Sequence, residues 1–197
     1  MTASRPHPAW LRHLPNVLSG GRALAVPVLV LLALAGRETA FTWVLIPALL
    51  SDIVDGVVAR VFHLESRLGA MLDSVADTMM LFVSLYGVWV FHPHVILEYP
   101  WLCGGAVGLW VLEDVLALLR YGRLSSFHTY LSKIVANLLG LFIGWLFLFG
   151  FEPALLYLAC GGSILASLEE IALLRALPTW RADVRGLWWV LRERGGR

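Results

Sequence analysis

Six apolar stretches, each close to twenty residues long and parted from the next by a short polar joint, leave this chain little choice of fold. The hydrocarbon core of a bilayer, about 30 Å thick, takes about 20 apolar residues per helix. Inside it only helices or closed barrels satisfy their own backbone polar groups. The stretches run from Pro15 to Ala35, Ala40 to Phe62, Gly69 to Phe91, Trp101 to Leu119, Tyr130 to Gly150 and Pro153 to Leu177. Gly36-Arg37-Glu38, Glu65-Ser66-Arg67, His92-Pro93-His94, Gly122-Arg123 and Glu152-Pro153 break them. A soluble domain does not carry 59% hydrophobic and 15% charged residues, or a mean hydropathy of +0.76, over 197 residues.

An even number of spans puts both termini on one side. Placed in the cytoplasm, they bring every Lys and Arg except Arg37 to that side or its boundary, which sets the orientation by the positive-inside rule. The expected fold is an all-α integral membrane protein, six transmembrane helices around a polar cavity open to the cytoplasm, with short interfacial helices at the termini. One domain over residues 1–197 is expected, since no linker or repeat divides the chain. A net charge of +1 gives no bulk attraction to nucleic acid. Arg5 and Arg12 ahead of an apolar run and Ala33-Leu34-Ala35 also resemble a cleaved signal peptide, but cleavage would leave an odd span count. In the tail, residues 178–197, Trp180, Val184, Leu187, Trp188 and Leu191 recur among Arg181, Arg185, Arg192 and Arg194, the pattern of a basic amphipathic cytoplasmic helix. Cys103 and Cys160 lie in apolar runs and read as small hydrophobes.

Four carboxylates interrupt this apolar chain. Asp52 and Asp55, three apart, share a helix face toward the cytoplasmic end of the second span; Asp73 and Asp77, four apart, do the same near the start of the third. A hairpin turning near Leu64 would set Asp52 level with Asp77 and Asp55 level with Asp73, roughly 10 Å deep at 1.5 Å of rise per residue. Four ionised carboxylates there repel one another and lose hydration, so cations must offset them. Two divalent ions carry the matching charge, and an all-oxygen ligand set without His or Cys suits Mg²⁺, Mn²⁺ or Ca²⁺ rather than zinc. Paired metals of this kind clamp the oxygens of an in-line displacement at phosphorus. Gly56, Ala59 and Gly69 leave room for a flat group, and Arg60 stands where a guanidinium can hold a phosphate, although small residues also serve helix packing and a terminal Arg also snorkels.

Asp52, Asp55, Gly56, Ala59, Arg60, Gly69, Asp73 and Asp77 together meet the pattern Asp-x₂-Asp-Gly-x₂-Ala-Arg-x₈-Gly-x₃-Asp-x₃-Asp. This resembles the signature of the CDP-alcohol phosphotransferases, membrane enzymes of phospholipid synthesis. The resemblance implies transfer of a substituted phosphoryl group from a CDP-linked donor to an alcohol with release of CMP, two Mg²⁺ or Mn²⁺ ions, and a homodimer. By the same resemblance Asp52, Asp55 and Asp73 are metal ligands, and Asp77 completes the metal shell and serves as general base. Asp52, Gly56, Ala59 and Gly69 would lie about the cytidine, and Arg60 at the donor phosphates. Pro15-Asn16-Val17-Leu18-Ser19 followed by Arg22 resembles the opening of phosphatidylglycerophosphate synthases and their relatives, with Asn16, Ser19, Gly20, Ala23 and Pro27 on one polar-to-small face.

CDP-diacylglycerol and a small polar acceptor, of glycerol 3-phosphate or inositol phosphate type, are therefore expected, ahead of CDP-choline or CDP-ethanolamine attacked by diacylglycerol. Arg120, Arg123, His128 and Lys133 cluster between the fourth and fifth spans and form a candidate acceptor-phosphate rim, although positive-inside topology produces such charges too. Lys133 lies within the helix and needs a partner; Glu113, Asp114, Glu169 and Glu170 are candidates, or a second polar site. "SSFHTYLSK", Ser125 to Lys133, matches no acceptor signature, and His92 and His94 read as a polar loop on the far side. The competing class is a cation transporter, which explains acids at helical spacing but not Gly56, Ala59, Arg60 and Gly69. The compact chain suits a bacterial inner membrane.

Overall fold

The computed structural model describes residues 14–62, 67–123, 125, 127, 129–181 and 184–195, with side chains at all of these except 14–20, 23, 52–74 and 193–195. Among the described residues regular structure is helical throughout: α1 (Leu14–Leu34), α2 (Glu38–Phe62), α3 (Arg67–Phe91), α4 (Pro93–Glu98), α5 (Pro100–Tyr121), α6 (Tyr130–Phe149), α7 (Pro153–Ala176) and α8 (Leu187–Gly195). Each of the six apolar stretches is one helix, its ends within two residues of the expected ones. Among the described residues three of them, α5, α6 and α7, are long and apolar enough to cross a membrane. Val107, Val111, Leu119, Leu141, Leu158 and Leu165 point outward from these three, the exterior a lipid-facing helix requires.

The chain divides into two compact units, Met1–Pro93 and His94–Arg197. In the first, α1 packs along both α2 and α3, while α2 and α3 touch each other only slightly. The turn after α1 is tight: Gly36, at φ +65°, and Arg37 return their amides to Ala33 and Leu32. This left-handed glycine closes α1 and starts α2 back alongside it. Leu29 and Ala33 of α1, Phe41, Leu45 and Ala48 of α2, and Ala76, Met80, Val83 and Val88 of α3 form the buried stripes. At the same end as this turn, His92 Nε2 lies 3.2 Å from Glu38 Oε1, tying the end of α3 to the start of α2.

In the second unit α7 is central and packs on α5, α6 and α8. Thr129, fully buried, caps α6 by accepting the Ser132 amide at 3.1 Å, and Glu152 caps α7 from the Ala154 amide. Where α5 and α7 end, Ala117, Phe127, Leu173, Leu174, Leu177, Val184 and Val190 enclose one apolar cluster. The tail differs from the amphipathic helix expected over 178–197. Among its described residues the helix is Leu187–Gly195, because Val184 and Arg185 run extended beside Phe127 and Tyr130, exchanging backbone bonds with them, and Gly186 turns at φ +151°. Val190 then faces the cluster while Trp188 and Leu191 stay exposed.

Candidate active site

The antiparallel course of α1, α2 and α3 brings the start of α1, the end of α2 and the start of α3 to one end of the first unit. Helical register places the motif there. The buried stripe Phe41, Leu45, Ala48 continues at steps of four and three to positions 52 and 55 of the unbroken α2. In α3 the stripe Met80, Ala76 continues backwards to positions 73 and 69. The side chains of Asn16, Asp52, Asp55, Gly56, Ala59, Arg60, Gly69 and Asp73 lie outside the described residues, as does His128 altogether. Among the described residues no three His, Cys, Asp or Glu side chains are grouped to hold a metal ion.

Asp77 is described, and its side chain keeps 46% of its exposure. Arg22 of α1, 2% exposed, donates from Nη1 to Asp77 Oδ1 at 2.5 Å. In the sequence Arg22 stands out only as part of the opening at Pro15–Ser19, off the Asn16–Pro27 face. The available signal was its spacing to Leu29 and Ala33, seven and eleven residues on, which places it on the buried stripe. An open groove of about 340 Å³ between α1 and α2 is lined by Arg22 together with Gly21, Ala25, Trp43, Pro47 and Ser51.

The cationic rim belongs to the second unit. Arg120 donates to the Leu177 carbonyl at 3.3 Å and lies over the Tyr121 ring, Arg123 lies 5.4 Å from the Trp180 ring centre, and Lys133 is exposed on the first turn of α6. The acids of the spans form a separate polar knot. Glu113 and Glu170 are buried, Ser125 gives its amide to Asp114 and its hydroxyl to Glu170, and Glu169 accepts the Leu187 amide at the start of α8. These bonds fasten the α5–α6 connection and the tail to α7. His94 stacks edge-on against Phe151.

Residues 12–165 match the family model described as CDP-alcohol phosphatidyltransferase. The chain belongs to the CDP-alcohol phosphatidyltransferase family. Among curated proteins it is 32% identical over 144 residues to a rice cardiolipin synthase (CMP-forming), covering 70% of this chain and 44% of that protein. An Arabidopsis CDP-diacylglycerol–glycerol-3-phosphate 3-phosphatidyltransferase is 45% identical over 76 residues, 36% of this chain and 32% of its own length. The corresponding protein of Rickettsia typhi is 29% identical over 140 residues, 66% of this chain and 76% of its own. The chain thus spans less than half the length of the two plant proteins. No solved structure matches it. For a CDP-alcohol phosphatidyltransferase, the matched region takes in Asn16, Arg22, all eight motif positions and Arg120 to Lys133.

Proposed function

We propose that this chain transfers a phosphatidyl group from CDP-diacylglycerol to the hydroxyl of a small polar alcohol, glycerol 3-phosphate before others, and releases CMP. One observation carries the reading. All eight motif positions fall on α2 and α3, helices of a single unit, and the side chain of the last carboxylate, Asp77, is open to a substrate. The activities for which the relatives are named, two of them glycerol-3-phosphate 3-phosphatidyltransferases, support the donor and acceptor.

The donor set is four carboxylates without His or Cys, which fits a hard divalent cation such as Mg²⁺ or Mn²⁺. Asp52, Asp55, Asp73 and Asp77 would hold two such ions, which when bound neutralise the diphosphate and the leaving CMP oxygen. Asp77 takes the proton of the acceptor hydroxyl. The acceptor oxygen then bonds to the β-phosphorus as the bond from that phosphorus to the CMP oxygen breaks. Gly56, Ala59 and Gly69 leave the cytidine its space, Arg60 holds the donor phosphates, and Arg120, Arg123, His128, Lys133 and Asn16 are the acceptor side. In this reading residues 1–197 act as one catalytic domain with six spans, the cavity and both termini face the cytoplasm, and the enzyme works as a homodimer in a membrane.

The test is CMP release from CDP-diacylglycerol by purified protein in detergent with Mg²⁺ or Mn²⁺. Glycerol 3-phosphate is expected to raise it above the acceptor-free rate, ahead of inositol 1-phosphate, serine and phosphatidylglycerol. Asp77→Asn is expected to lower it about 100-fold or more while the protein stays folded. A folded protein that releases no CMP with any of these acceptors would refute the proposal.

A further inference from the structure

A guanidinium keeps its charge at any pH a protein meets, so burying one among apolar helices requires a compensating partner on a neighbouring helix. Arg22 is such a group. It stands on the buried stripe of α1 with Leu29 and Ala33, is 2% exposed, and crosses to α3 to bond Asp77 Oδ1. The two partners differ in access: the guanidinium is enclosed while the carboxylate side chain retains 46% of its exposure. A phosphate-binding arginine presents its N–H groups to the open side of a site. Arg22 instead directs one at the carboxylate that the open side can reach.

We propose that Arg22 is a positioning residue for the transfer reaction, fixing the Asp77 carboxylate from behind so that it meets the acceptor hydroxyl in one orientation. An aspartate side chain turns about two bonds, and a charge-assisted bond to one oxygen removes most of that freedom. The packing of α1 along α3, with Leu29, Ala33, Ala76 and Met80 buried, makes the anchor rigid. Orientation of this kind acts on turnover rather than on substrate binding.

This inference rests on the function proposed above, and the experiment separates the two. Steady-state kinetics of CMP release would be measured for wild type, Arg22→Gln, Arg22→Lys, Asp77→Asn and the Arg22→Gln/Asp77→Asn double variant, each normalised to folded protein. Arg22→Gln is expected to lower kcat about 100-fold with KM for donor and acceptor within about threefold of wild type. Arg22→Lys is expected to recover about a tenth of wild-type kcat, and the double variant to be no slower than Asp77→Asn, since both changes strike one step. Unchanged kcat in folded Arg22→Gln, a loss carried by a raised donor KM, or additive loss in the double variant would overturn the proposal while leaving the functional reading intact. Should Arg22→Gln fail to fold, Arg22→Lys decides alone: kcat lowered about tenfold at unchanged KM upholds the role, and wild-type kcat overturns it. A folded wild-type protein without CMP release overturns the functional reading, and the role of Arg22 with it.

Discussion

Asp55 lies three residues past Asp52, on the continuation of the stripe that Phe41, Leu45 and Ala48 bury, so an amide there changes charge with almost no change of shape. If the four carboxylates hold divalent ions, Asp55→Asn should weaken Mn²⁺ binding at least about tenfold in a calorimetric titration of folded protein, without substrate present. Undiminished affinity would remove Asp55 from the ligand set. The acids were legible in the sequence because a carboxylate in an apolar run is costly and has few explanations. Arg22 was legible only as part of the opening at Pro15–Ser19, and its role beside a carboxylate is seen only in its contact with Asp77. Glu113, Asp114 and Glu170 show the converse. Their presence in spans suggested a partner for Lys133 or a second site, while Asp114 and Glu170 accept from Ser125.

Helix ends followed from turn chemistry, and departures occur where a short element needed only local signals. Pro93 was read as part of a joint; it opens the six-residue α4, because its fixed φ suits a first helical turn and Val95 there is 1% exposed. The tail pattern had helical period, yet Gly186 and the extended Val184 confine α8 to its second half. Packing between helices was the least legible. Nothing in the residue pattern says that α1 separates α2 from α3 over most of their length, because two apolar stripes of similar width can each face either neighbour. Where α2 and α3 do meet, the ring of fully buried Phe41 lies so close to Gly87 that a Cβ there would stand 2.3 Å from its Cζ. Phe41 is also held against Phe91, ring centres 5.3 Å apart, and cannot withdraw freely. Gly87→Ala should therefore destabilise the protein by about 1–3 kcal/mol, measured as a lowered thermal midpoint in detergent. Gly21→Ala, where nothing lies within 4 Å of the added methyl, is the matched control. Equal midpoints for the two variants would mean that the Phe41–Gly87 contact does not constrain the pair.

At the scale of the molecule the sequence predicts more than the helices by themselves establish. Among the described residues three helices meet the length and apolarity a membrane crossing requires, and six crossings follow if α1, α2 and α3 cross as well. Charge placement supplies the missing constraint, since all the Lys and Arg residues but Arg37 fall to one side or its boundary when every long helix crosses. Arg37 and Arg123 are both exposed, and α2, α3 and α5 lie between them. The six-residue α4, about 9 Å long at 1.5 Å per residue, is too short to count as a crossing. Three crossings put the two arginines on opposite sides. With Cys103 and Cys160 replaced by Ala, Arg37→Cys should react with a membrane-impermeant maleimide only in right-side-out vesicles and Arg123→Cys only in inverted ones. Labelling of both from the same face would mean that one of α2, α3 and α5 does not span. If that helix were α2 or α3, the four aspartates would not converge at one depth, and the proposed two-metal site would lose its geometric basis.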